Sequence, residues 1–127
     1  MNPLRVLLVE DNPDNFELVR FLLEQAGYQV LAARTGRQGM DLARAEHPDL
    51  ILMDLSLPEV DGWTAAAELK ADPATADIPL LALTAHTLPG DRQHAAEVGF
   101  NGFVSKPINI ARFPEAIAAG LKQKPGG

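Results

Sequence analysis

Five polar residues stand where short apolar runs end. Glu10 and Asp11 follow Val6-Leu7-Leu8-Val9, and Asp54 follows Leu50-Ile51-Leu52-Met53. Thr84 closes Leu80 to Leu83, and Lys106 follows Gly102-Phe103-Val104-Ser105. Three carboxylates in one cleft repel each other unless a cation joins them. The natural partner is a hard, oxygen-seeking divalent ion, Mg²⁺ or Mn²⁺, that keeps several waters. Lys106 adds a point charge able to hold an anion, and Thr84 adds a hydroxyl donor. A metal, an ammonium and a hydroxyl beside a carboxylate nucleophile suit phosphoryl transfer, where catalysis is mostly positioning and charge neutralisation.

The elements that must bring these residues together follow from the apolar pattern. Unbroken runs such as 6–9, 50–53 and 80–83 suit parallel strands covered on both faces. Tyr28 to Ala33 is a weaker strand, and Gly102 to Ser105 a fifth, short one. Between them lie helix patterns. Asn12-Pro13 fits an N-cap and first helical position, with Phe16, Val19, Leu23 and Ala26 at helical spacing and Gly27 as the stop. Thr35 caps a second helix to about Glu46, with Met40 and Ala43 inward. Trp63, Ala66 and Leu69 or Lys70 mark a third, which Asp72-Pro73 ends. Leu88 to Val98 makes a fourth, with little apolar anchorage. Phe113, Ile117 and Leu121 stripe the last, where Pro114 predicts a late start or a kink.

Five strands alternating with five helices predict an α/β, doubly wound parallel sheet. Right-handed crossovers and a switch point after the first strand give the flavodoxin-like order 2-1-3-4-5. That order gathers Glu10, Asp11, Asp54, Thr84 and Lys106 at the carboxyl edge, where open sheets of this kind bind ligands.

Bulk properties narrow the function. The 127 residues are 46% hydrophobic, enough for one cored domain, expected over 1–122 with a loose tail at 123–127. The net charge of −6 argues against nonspecific binding to nucleic acid or anionic membrane. With no cysteine, thiolate metal sites, disulfides and cysteine nucleophiles are excluded. No signal-peptide layout or bilayer-length apolar stretch is present, so a cytoplasmic protein is expected. No phosphate-cradling glycine loop of the Walker or Rossmann type occurs. His47, His86 and His94 lack ligand-like grouping, and Trp63 reads as helix packing.

Each candidate has a bland alternative. Glu10-Asp11 can serve a helix N-terminus, Asp54 can cap a loop, Lys106 can be a solvated lysine and Thr84 an ordinary strand-end hydroxyl. Their joint arrival at one sheet edge is what argues for chemistry.

The motifs carrying these residues are Val-Glu10-Asp11-Asn, Leu-Met-Asp54-Leu-Ser-Leu-Pro58-Glu-Val-Asp-Gly62, Leu-Thr84-Ala85 and Ser-Lys106-Pro107-Ile. In this order, over about Leu4 to Leu121, they resemble the receiver domain of bacterial two-component response regulators, most closely the single-domain regulators of the DivK type. The resemblance implies that Asp54 accepts phosphate from a partner's phosphohistidine. It implies Mg²⁺ on Glu10, Asp11, Asp54 and the Ser56 backbone carbonyl, with Lys106 pairing with the phosphoryl group and Thr84 bonding it once formed. Phe103 matches the family's switch aromatic, with Ala85 beside Thr84, and Ser56 and His86 match two positions that tune dephosphorylation. The Lys106-Pro107 bond is typically cis in the family.

The implied protein is a phosphoacceptor, catalysing only its own phosphorylation and slow dephosphorylation. Its partners are a histidine kinase or histidine phosphotransfer protein, and a target bound through the fourth helix, fifth strand and fifth helix. Receivers fused to hybrid histidine kinases use similar phrases, so a domain of that origin is the alternative. A degenerate receiver is opposed by the intact acidic pair, Asp54, Thr84 and Lys106. A haloacid-dehalogenase-like hydrolase would carry a second aspartate where this chain has Ser56.

Overall fold

The computed structural model describes residues 3–57, 61–84 and 89–122, with 89–92 described in backbone alone. Pro58, Ala85, His86, Leu88 and the expected tail at 123–127 lie outside the described residues. Strands β1 (Arg5–Val9), β2 (Gln29–Ala33), β3 (Leu50–Asp54), β4 (Leu80–Thr84) and β5 (Gly102–Ser105) alternate with five helices. These are α1 (Pro13–Gln25), α2 (Gly36–Glu46), α3 (Gly62–Ala71), α4 (Pro89–Val98) and α5 (Phe113–Leu121). All strands pair in parallel, in the expected order β2-β1-β3-β4-β5.

Side chains alternate across a strand, so each central strand feeds two cores. Val6, Leu8, Leu50, Leu52, Leu81, Leu83 and Val104 pack with Phe16, Val19 and Leu23 of α1 and Phe113 and Ile117 of α5. Leu7, Val9, Ile51, Met53, Leu80 and Ala82 pack on the other face with Met40 and Ala43 of α2, Ala65, Ala66 and Leu69 of α3, and Ala95 of α4. Every residue of β3 and β4 is buried, which is why these runs show no alternation of apolar and polar residues.

The helix starts obey their caps. Asn12, Thr35 and Asp61 each accept, through side-chain oxygen, the N–H three residues on. Gly27 and Gly99 end α1 and α4 at φ of 94° and 120°. Pro114 falls at the second position of α5, so the helix starts late rather than kinking. Two alanines face outward, Ala26 against its expected place on the inner stripe of α1. Ala26 is the exposed C-cap of α1, and Ala96 is exposed beside the buried Ala95. Both alanines are small enough to sit on either face at little cost. Tyr28 precedes β2 rather than opening it.

Candidate functional site: an acidic cluster beside a lysine

Strand parity builds the site. Glu10 continues the alternation Val6, Leu8; Asp54 continues Leu50, Leu52; Lys106 follows Val104 by two. These three therefore leave the carboxyl edge on the α1–α5 side of the sheet. Thr84 continues Leu80, Ala82 and leaves on the opposite side, toward α3 and α4. Pairing holds the edge in place: the Glu10 N–H donates to the Ala33 carbonyl at 3.1 Å, and the Lys106 N–H to the Thr84 carbonyl at 2.8 Å.

Glu10 is 0% exposed and Asp54 2% exposed, while Asp11 is open to solvent. One carboxylate oxygen from each lies within 4.8 Å of the other two. Lys106 Nζ donates to Glu10 Oε1 at 2.9 Å and stands 3.5 Å from Asp54 Oδ1. The Ser56 N–H donates to the same Asp54 oxygen at 3.0 Å. Burial pushes the Glu10 carboxyl up to about 7, reinforced by its hydrogen bond and repulsion with Asp54 and opposed by Lys106. Burial also works against ionised Asp54. The hydrogen bond with Glu10, the Ser56 N–H and the Lys106 ammonium together outweigh it and hold Asp54 below the usual carboxylate range.

The donor set fits a hard cation. With both carboxylates ionised, Glu10 Oε2 is buried and has no hydrogen-bond donor. Such a buried acceptor calls for a positive partner, which is either a proton shared with Asp54 or a metal ion. An oxygen-only set with one open side suits an ion that keeps waters.

Gly62 sets the loop after Asp54. A Cβ there would stand 2.7 Å from Leu55 Cα and collide with the Asp54 carbonyl, so only glycine lets α3 start against the end of β3. The Lys106-Pro107 bond is cis. Phe103 is half-buried on β5; it packs against the α2–α4 core and borders a cavity of about 280 Å³ with Pro107, Arg112 and Phe113. Glu10, Asp11, Asp54, Ser56 and Lys106 thus meet at one point, with Thr84 at the same edge but on the other face. Ala85 and His86 fall outside the described residues.

Sequence reasoning missed Arg34, whose guanidinium lies 3.8 Å from the Phe16 ring centroid at this same edge. Its signal was available: it is the first residue after β2, with the parity of Val30 and Ala32.

The described residues thus form a five-stranded 2-1-3-4-5 sheet with an acidic pocket beside a lysine at its carboxyl edge. The chain belongs to the response regulator receiver domain family, whose model matches residues 6–118. It is 44% identical over 116 residues to the polar-differentiation response regulator DivK of Brucella ovis, covering 91% of this chain and 94% of that protein. Among solved structures it is similar to the receiver domain of the sensor histidine kinase PA1611 of Pseudomonas aeruginosa PAO1, which holds a magnesium ion coordinated in its active-site cleft. That match has a TM-score of 0.87 and 34% identity, covering 95% of this chain and 99% of that one. The chemotaxis response regulator CheY4 of Vibrio cholerae matches with a TM-score of 0.87 and 27% identity, over 92% and 98% of the two chains. The DivK likeness exceeds the likeness to the kinase-borne receiver, so a hybrid-kinase origin is the less favoured reading. No helix among the described residues is long and apolar enough to cross a membrane.

Proposed function

We propose that Asp54 accepts a phosphoryl group from a phosphohistidine of a histidine kinase or histidine phosphotransfer protein, and that the product switches protein–protein interactions in a phosphorelay. The observation that carries this is the buried Asp54 carboxylate, held ionised beside Lys106 and Glu10. A carboxylate kept in its charged form is a competent nucleophile. One Asp54 oxygen bonds phosphorus as the phosphorus–nitrogen bond breaks, and the electron pair stays on the departing imidazole.

Glu10, Asp11, Asp54 and the Ser56 carbonyl would hold Mg²⁺ or Mn²⁺. When bound, the ion would neutralise charge on the phosphoryl oxygens. The Lys106 ammonium leaves its carboxylate partners for a phosphoryl oxygen, and the Thr84 hydroxyl, which leaves β4 on the opposite face, turns over the strand end to donate to another. Self-catalysed phosphorylation and slow dephosphorylation are the only reactions, with Ser56 and His86 tuning the second. Output passes through Ala85 and Phe103 to a protein target on α4, β5 and α5. The domain comprises 1–122 with 123–127 as a tail, and works in the cytoplasm without nucleic acid or membrane. Phosphotransfer profiling against histidine kinases and phosphotransfer proteins tests the partner reading. Transfer from none of them to Asp54 would overturn it.

A further inference from the structure

Asp54 has two cations at matching positions on its flanks. Lys106 follows β5, two strand positions from β3 on one side; Arg34 follows β2, two strand positions away on the other. Neighbouring strands are about 4.8 Å apart, so each backbone starts on the order of 10 Å from that of Asp54. Both side chains leave the sheet with the parity of Asp54, on the α1–α5 side. Lys106 spans the gap and bonds the acidic cluster. Arg34 does not join it: its guanidinium rests over Phe16 of α1, with no carboxylate within salt-bridge distance among the described residues.

Its position is fixed at both ends. Ala33, just before it, pairs with Val9 and accepts the Glu10 N–H. The Arg34 N–H itself donates to Gln38 Oε1 at 2.8 Å. Phe16 is buried in the α1 face, so the ring under the guanidinium is a rigid platform. A cation over an aromatic face gains about 0.5–1 kcal/mol at an exposed site and keeps its outward N–H donors. An exposed arginine is thus held at the rim instead of sweeping through solvent. The mouth beside it carries the exposed Asp11 in a chain of net charge −6, a field that repels an anionic donor.

We propose that Arg34, seated on Phe16, is a positioning residue that draws the dianionic phosphoryl group of the donor to Asp54 past the acidic mouth. The inference rests on Asp54 as the phosphoacceptor. It names a cation that acts before transfer, on approach, where Lys106 acts on the bound phosphoryl group. A unit positive charge on the order of 10 Å from a dianion, in water at low salt, changes its local concentration roughly threefold. Salt at about 1 M, with a Debye length near 3 Å, erases that gain.

The test compares labelling rates by intact mass for the unmodified chain, Arg34→Gln, Arg34→Lys and Asp54→Asn, each with magnesium at low and high ionic strength. Acetyl phosphate, a dianion, and phosphoramidate, a monoanion near neutral pH, are the donors. Arg34→Gln is expected to react roughly threefold more slowly with acetyl phosphate at low salt, less so with phosphoramidate, and equally at high salt. Arg34→Lys is expected to restore most of the rate. A full-rate Arg34→Gln overturns the proposal; so does a slowing that persists at high salt or that Arg34→Lys shares, since either would mark a structural role. The Asp54→Asn arm separates the two levels. Its labelling would defeat the phosphoacceptor reading itself, whereas a silent Asp54→Asn with a full-rate Arg34→Gln defeats only the role of Arg34.

Discussion

Lys106 and Glu10, 96 residues apart in sequence, form a 2.9 Å ion pair in which the carboxylate is fully buried and the lysine one-fifth exposed. The pair closes the sheet edge over Asp54 and leaves the second Glu10 oxygen without a donor. The site thus contains a deficit of positive charge that a proton, a metal ion or the lysine can fill, and these compete.

The first consequence concerns pH. Glu10 sits at about 7 against an ordinary 4.5 because it is buried beside Asp54. Its contribution to stability is fully present below 4.5 and is lost as pH rises through about 7. Denaturant titrations of the metal-free protein should show that decline, on the order of 1–3 kcal/mol. Magnesium should offset it, and Glu10→Gln should flatten it. Magnesium binding should also release protons near neutrality, read by calorimetry in buffers of different ionisation enthalpy. Proton-neutral binding together with a flat stability profile would refute this account of Glu10.

Removing the lysine tests the competition. Lys106→Ala should keep the far-ultraviolet circular dichroism of the parent. It should lose stability by on the order of 1–3 kcal/mol, because buried Glu10 loses its partner. Magnesium should bind at least as tightly, since a competing cation is gone, while phosphorylation-dependent partner binding falls. Weaker magnesium binding with an unchanged partner response would mean that Lys106 only organises the metal site.

Gly62 offers a backbone test away from charge. Gly62→Ala should destabilise by roughly 2 kcal/mol or more, because the new methyl meets main chain rather than a movable side chain. Gly27→Ala has open space and only its φ of 94° to resist it, so about 1 kcal/mol is expected. Equal losses, by urea titration, would show that the end of β3 can yield.

The output model predicts movement on the α4 side. Trp63 of α3 is the chain's one tryptophan; it lies 4.6 Å from the His94 ring of α4 and edge-on to Phe100. Phosphorylation should change its fluorescence and shift amide exchange across 89–98 and around Phe103. Phe103→Ala should shrink the affinity difference between the two states. Exchange changes confined to the loops after Asp11 and Asp54, with silent Trp63 and an unaffected affinity difference, would contradict the model.

Much of this was legible in the sequence. Unbroken apolar runs marked β1, β3 and β4 because those strands are covered on both faces, and Asn12 and Thr35 announced their helices because they satisfy orphan N–H groups. What stayed hidden depends on which way a residue faces at an edge. Thr84 and Asp54 end adjacent strands, yet their side chains leave on opposite faces, since Asp54 pairs with Leu83 and not with Thr84. The Glu10–Lys106 pair and the seat of Arg34 on Phe16 likewise required strand order and register. His47, read only as lacking ligand-like grouping, ends α2 in the left-handed region at φ 45° and meets Asp77 at 3.1 Å. Nothing local to its sequence distinguishes that from an ordinary turn.

The most direct measurement of the central claim is intact mass after incubation with acetyl phosphate and magnesium, for the unmodified chain and for Asp54→Asn. The account predicts one added phosphoryl group on the unmodified chain, lost with chelator, and none on Asp54→Asn. Equal labelling of both proteins, or labelling undiminished by chelator, would contradict it.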